Sequence, residues 1–161
     1  MDIIVPSKGK RLPLPQFMQV VASTPLVSID LIVKNEQGHV LLGMRNNEPA
    51  AGYWFVPGGC IRKNETLDEA FTRISEAELG VRLHRRDFPF YGAYEHFYDT
   101  NAGKLPGFGT HYVVLAHEVV VDSAILKLPE QDQHADWRWA TPADILADES
   151  VHFHSQQYFS V

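Results

Sequence analysis

The sequence predicts an α+β fold, a mixed β-sheet flanked by helices, and three observations carry that prediction. An alternating, β-branched run lies at residues 26–34, and two further long strand-like runs lie at 88–98 and 110–121. A helical apolar stripe with its own start and stop signals lies among them, from Thr66 to Gly80. Proline and glycine punctuate the segments in between. At 161 residues the chain suits one compact domain spanning 1–161.

The elements follow in order. Residues 9–15 are basic and proline-containing and read as an extended arm. Residues 16–22 form a short helix with Phe17, Val20 and Val21 on one side, so 1–22 is an N-terminal arm and helix. Residues 26–34 read as a strand, Glu36-Gln37-Gly38 as a hairpin turn and 39–44 as the returning strand. Residues 53–56 make another short strand, stopped by Pro57-Gly58-Gly59. Thr66 is a natural N-cap, and Glu69, three residues on, completes a capping box. Leu67, Ala70, Phe71, Ile74 and Leu79 supply the apolar stripe, and Gly80 sits at the C′ position. Residues 88–98 and 110–121 are two long strands around a glycine-containing loop. Residues 137–140 form a last short strand, Thr141-Pro142 opens a helix, and 154–159 form a final one.

Composition narrows the function. The chain is 45% hydrophobic and 21% charged, with a formal charge of −6. A broad basic face for polyanions is not indicated, so no nucleic-acid partner is expected. A small phosphate-bearing ligand remains compatible, because a few local cations or a metal offset the charge. Cys60 is the only cysteine, so no internal disulfide forms; a reducing cytosol fits. No run of about 18 apolar residues is present, so no membrane span is expected. Residues 1–10 carry too short an apolar stretch for a secretion signal. A cytoplasmic location is the expectation.

The chemistry concentrates between residues 59 and 81. Gly59, Glu65, Arg73, Glu78, Gly80 and Val81 fall in the register of the Nudix box, which this segment resembles. The physical logic is a Gly-Gly turn whose carbonyls approach a cation closely, followed by a helix that presents carboxylates to the same point. Magnesium is hard and takes oxygen ligands. In the usual box three glutamates stand at the positions of residues 74, 77 and 78, which share one helix face. Here positions 74 and 77 are Ile and Ala, and only Glu78 remains. Glu76 lies about 200° around the helix from Glu78 and is no substitute. One magnesium is therefore expected, with manganese an acceptable replacement, and the base that activates water must lie outside the box. Glu65 and Arg73 are expected to tie loop to helix as an ion pair.

Outside the box, several segments resemble the GDP-mannose mannosyl hydrolase branch of the Nudix hydrolases. They are Ser23-Thr24-Pro25-Leu26-Val27-Ser28, Gly52-Tyr53-Trp54-Phe55-Val56-Pro57-Gly58-Gly59, Ala77-Glu78-Leu79-Gly80, Thr110-His111-Tyr112-Val113-Val114 and the pair Gln133-His134. The resemblance implies a Nudix-type α/β/α sandwich, a homodimer and attack of water on the anomeric carbon with inversion. It implies that Gly58, Glu78 and Gln133 hold magnesium and that His134 is the general base, a task suited to an imidazole. It places Arg45 and Tyr112 on the phosphate side and Asp30 and His96 near the sugar. Leu12 and Phe17 fall where the family builds its nucleotide pocket, although Phe17 also fits a helix core. The branch commonly has arginine at the position of Cys60, and Arg62 is the available compensation. The expected substrate is GDP-mannose or a related GDP-sugar. Two alternatives stay open: a conventional Nudix diphosphatase that cuts at phosphorus, and a non-catalytic module that binds nucleotide sugars.

Overall fold

The computed structural model describes residues 1–129 and 134–160. Helix α1 (Leu14–Ser23) starts at the prolines rather than after them. Pro13 occupies the N-cap and Pro15 the first turn, where a missing N–H costs nothing. Strand β1 (Leu26–Lys34) turns through Gly38 into β2 (Val40–Arg45). The Asn35 side chain accepts from the amides of Gln37 and His39, which fixes that turn. A short β3 (Trp54–Phe55) follows.

Pro57-Gly58-Gly59 is not a simple stop. Gly58–Cys60 forms a further strand, β4, antiparallel to β1, with Asp30 opposite Gly58 and Ile29 opposite Gly59. The glycine at 58 serves close approach rather than a turn. A Cβ there would meet the Ile29 carbonyl oxygen at 2.6 Å and would also strike the Asp30 carboxylate.

Helix α2 (Leu67–Leu79) has the caps its sequence announces. The Thr66 hydroxyl accepts from the Glu69 amide at 3.1 Å, and Gly80 takes φ 70°, a left-handed conformation open to glycine. Strands β5 (Phe90–Tyr98) and β6 (Thr110–Val120) pair antiparallel around the predicted loop. Strand β7 (His134–Ala140) is longer than the sequence indicated, because its pairing with β2 continues past a register shift to Arg45 opposite His134. Residue 134 therefore opens a strand instead of lying in a loop. Helix α3 (Pro142–Ala147) is capped by Thr141. The final segment is a four-residue helix, α4 (Phe153–Gln156), that tightens into a 3₁₀ turn at Gln157–Phe159.

The seven strands run β3-β2-β1-β6-β5, with β4 added on β1 and β7 on β2. One edge of β1 pairs in parallel with β6 from Leu26 to Lys34. The other edge is divided: β4 takes residues 28–30 and β2 takes Lys34. Successive side chains of β1 point to opposite faces. Ile29, Leu31 and Val33 pack with Ala70, Phe71, Ile74 and Leu79 of α2. On the other face Ile32 packs with Val40, Val56, Ala116, Ile145 and Tyr158. Each fully buried side chain of this size is worth about 1.5–3 kcal/mol. The fold is thus α+β, with helices on both faces of a mixed sheet.

Candidate functional site

The site forms where the edge of β1 changes partners. The β1–β4 register, with Leu31 N donating to Pro57 O and Ile61 N to Val27 O, makes Asp30–Gly58 a non-hydrogen-bonded pair. Both peptide groups of Gly58 therefore point away from β1. Its amide meets Glu78 Oε1 at 3.4 Å, so the helix carboxylate sits against the same backbone position that Asp30 abuts from across the sheet. Glu78 is buried near the end of α2. Ile74, one turn earlier, is buried against Gly59, where a Cβ would meet it at 3.2 Å. Hydrocarbon occupies that part of the helix face, and Ala77 is exposed.

Asp30 keeps some exposed surface, yet its carboxyl is enclosed. Burial pushes its pKa up to about 7; the Tyr158 hydroxyl and the Arg45 guanidinium pull it down, and Glu78 adds to the rise. Tyr158 donates to Asp30 Oδ2 at 2.6 Å and lies 3.5 Å from His96 Nε2. The sheet register explains why these residues meet. Leu26, Tyr112 and His96 form one row across β1, β6 and β5, and Asp30 shares their face four residues along β1.

A second wall comes from the C-terminal segment. Trp54 N donates to Ser150 O and His152 N to Trp54 O, and the Ser155 hydroxyl accepts from Val56 N. These bonds tie residues 150–155 to the strand that leads into Gly58. His152 stacks on Phe55 with centroids 4.7 Å apart, and His154 stacks on His96 at 4.2 Å. Tyr98 touches Phe55, Tyr112, His152 and His154. The histidines are held neutral. Burial, with the neighbouring His154 and His152, lowers His96 to about 3; burial, with His154 and Arg45, lowers His152 to about 4. Burial also lowers His154 and raises the Tyr98, Tyr112 and Tyr158 hydroxyls. Phe55, Tyr98, His152, His154 and Tyr158 were not singled out from sequence. The only signal was the His-x-His pair at residues 152–154, with Tyr158 four residues on.

Arg45, at the end of β2, lies over the Phe55 ring at 5.3 Å. Among the described residues its Nε is buried without a hydrogen-bond partner. A desolvated cationic donor in that position is poised for an anionic acceptor. The Tyr112 hydroxyl meets the Cys60 thiol, and burial pushes that thiol up to about 11, so Cys60 is a poor nucleophile. Phe17 packs with Cys60, Phe108 and Tyr112 on Met18, Val21 and Leu26, and Leu12 is half-buried just before α1. Arg62 donates to the Gly9 carbonyl at 2.7 Å and so ties down the arm. Glu65 accepts from Arg73 at 2.7 and 2.9 Å and from the Arg62 amide at 2.7 Å; Arg73 also reaches the Cys60 carbonyl. Loop and helix are bound together through that ion pair.

His134 opens β7 opposite Arg45 in the backbone register. Its side chain, like the whole of Gln133, lies outside the described residues. Among the described residues no group of three or more His, Cys, Asp or Glu side chains forms a metal cage. The donors present are instead the Gly58 carbonyl, turned away from β1, and the Glu78 and Asp30 carboxylates on either side of it. Oxygen donors gathered at one backbone position suit a hard divalent cation.

Comparison with known proteins bears on the family and the fold. A model of the NUDIX domain matches residues 24–160. The low-salt glycan biosynthesis protein Agl8 of Haloferax volcanii is 45% identical over 122 residues, 75% of each chain. The crystal structure of the MutT protein from Methanosarcina mazei Go1 superposes with a TM-score of 0.62 at 25% identity, over 85% of this chain and 92% of that one. A bifunctional NMN adenylyltransferase/ADP ribose pyrophosphatase of Francisella tularensis, solved with AMP and a manganese ion, superposes with a TM-score of 0.61. It is 17% identical, over 89% of this chain and 43% of that one, a likeness of fold alone.

Proposed function

The chain belongs to the NUDIX domain family, and on that premise we propose that it is a magnesium-dependent hydrolase of a nucleoside-diphosphate sugar, most directly of GDP-mannose and water to GDP and mannose. The observation that carries the reading is the composition of the α2 face at Gly58. One carboxylate, Glu78, stands there, and the position a turn earlier is filled by Ile74 in the core. A helix so depleted of carboxylates lacks a base beside the metal to activate a water against phosphorus. The 45% identical relative is a low-salt glycan biosynthesis protein, which supports a sugar substrate.

In this reading Gly58, Glu78 and Gln133 hold the cation. A bound magnesium supplies charge neutralisation for the diphosphate as it departs. His134 takes a proton from water as the water oxygen attacks the anomeric carbon. The bond from that carbon to the diphosphate oxygen breaks with its electron pair left on GDP, and the sugar carbon inverts. Arg45, whose Nε has no partner among the described residues, and Tyr112 stabilise the charge that grows on the leaving group. Asp30 and His96 accept hydrogen bonds from sugar hydroxyls and fix the ring for in-line attack. Leu12 and Phe17 border the nucleotide. A homodimer is part of the same reading.

A screen of nucleotide sugars with magnesium, with both products identified, tests the proposal. GDP and free mannose are the expected products. Nucleoside monophosphate plus sugar phosphate would make the chain a conventional diphosphatase, and tight binding without turnover would make it a sensing module.

A further inference from the structure

We propose that Tyr158 is a positioning residue that fixes His96 in its Nε2–H tautomer and orients Asp30, so that the two residues face the site as a matched pair of acceptors. Three observations carry this. First, the Tyr158 side chain is 1% exposed, and its hydroxyl reaches Asp30 Oδ2 at 2.6 Å and His96 Nε2 at 3.5 Å. A phenol has one proton and two lone pairs. That proton goes to the short bond with Asp30, so toward His96 the same oxygen can only accept. The His96 nitrogen facing it must carry the hydrogen, which leaves the lone pair on Nδ1.

Second, the phenol cannot easily turn aside. Its ring stands edge-on to Tyr94 at 4.8 Å and to Tyr91 at 6.3 Å, both at 90°. Its own carbonyl accepts from the Tyr91 hydroxyl at 2.6 Å. The 3₁₀ turn is thus pinned to β5 from both its side chain and its backbone. Third, the stack of His154 on His96 at 4.2 Å and 12° limits rotation of the imidazole. A ring whose plane is fixed has its tautomer set by the partner of one nitrogen. Burial keeps both groups in the required state, with His96 neutral and the Tyr158 hydroxyl protonated.

With Asp30 ionised, the outcome is a pair of lone-pair sites, Asp30 Oδ1 and His96 Nδ1, on one face of the sheet. Such a pair selects a group that donates two hydrogen bonds, as adjacent hydroxyls of a sugar do. The consequence for turnover rests on the proposed sugar-hydrolase reading; the tautomer does not.

The direct test is the nitrogen–proton correlation spectrum of the histidine rings in the full chain, without substrate. His96 is identified by the signal lost in His96→Asn. The expected wild-type pattern is Nε2–H. Tyr158→Phe, which retains the ring packing, should relax His96 to a mixture of tautomers. Asp30→Ala should move the proton to Nδ1, because the phenol proton then has only His96 Nε2 as its acceptor. A wild-type Nδ1–H pattern, or a pattern unchanged in both variants, overturns the proposal. If Tyr158→Phe does not fold, the wild-type and Asp30→Ala spectra decide it alone. In activity, Tyr158→Phe should lower kcat/KM for the nucleotide sugar by about ten- to a hundred-fold, as loss of a bond to a charged group does, with a thermal midpoint lowered by several degrees but a cooperative transition retained. Wild-type protein that turns over no nucleotide sugar refutes the function but leaves the tautomer result standing.

Discussion

Arg45 and Asp30 show how single residues acquire chemistry from their surroundings. Neither differs in kind from many surface charges in the chain. Arg45 becomes a candidate anion binder because its Nε is buried beside Phe55 with no partner among the described residues. Asp30 becomes unusual because Tyr158 and Gly58 enclose its carboxyl. The sequence indicated Asp30, Arg45, His96 and Tyr112 as separate strand positions, on a family resemblance. The sheet register then brings Asp30, His96 and Tyr112 to one face. Tyr158 was illegible for a physical reason. It meets Asp30 across 128 residues of sequence, and no local pattern encodes so distant a contact. At this scale the role assigned to His134 has a sharp consequence. His134→Ala should lower turnover by about a hundred- to ten-thousand-fold while leaving the Kd for substrate nearly unchanged. Equal losses in turnover and binding would remove it from the role of base.

Elements were more legible than contacts. The caps of α2, its apolar stripe and the β1–β2 hairpin rest on local chemistry, and they stand as their residues require. Strand β4 did not read as a strand, because two glycines and a proline signal a break when taken alone. What stabilises it is non-local: the open edge of β1 pairs with it, and the missing side chain at Gly58 permits the approach. The same logic extended β7 beyond its sequence signal, since pairing with β2 continued to Arg45. The close approach of β4 to β1 is therefore a property to perturb. Gly58→Ala sets a methyl group against the Ile29 carbonyl and the Asp30 carboxylate. It should destabilise the fold by about 1–3 kcal/mol in urea unfolding and raise the magnesium concentration needed for half-maximal activity. A variant with unchanged stability and unchanged metal dependence would show that the tight β1–β4 contact is unimportant.

The whole molecule carries its candidate site on a sheet that divides along one edge, walled by a C-terminal segment that holds His152 and His154. Keeping those histidines neutral has a cost at low pH. His96 falls to about 3 and His152 to about 4, and His154 is also lowered. Their folded pKa values lie below the ordinary 6.5, so the unfolded chain binds more protons in that interval. Their contribution is complete above that value and is lost as pH falls through the interval. Asp30 acts in the opposite sense, because its raised pKa of about 7 favours the folded state at lower pH and cancels about one histidine. The net expectation is a loss of about 1.4 kcal/mol per pH unit or more between pH 6 and 5 in urea unfolding, reduced in His96→Asn. Stability that is flat across that interval would mean the histidines are solvated.

The central claim is that the chain cuts its substrate at the sugar carbon, and the most direct measurement is one hydrolysis carried out in ¹⁸O-enriched water with both products weighed. Label in the free sugar, with none in GDP, is the expected result. Label in a phosphate product would contradict the account.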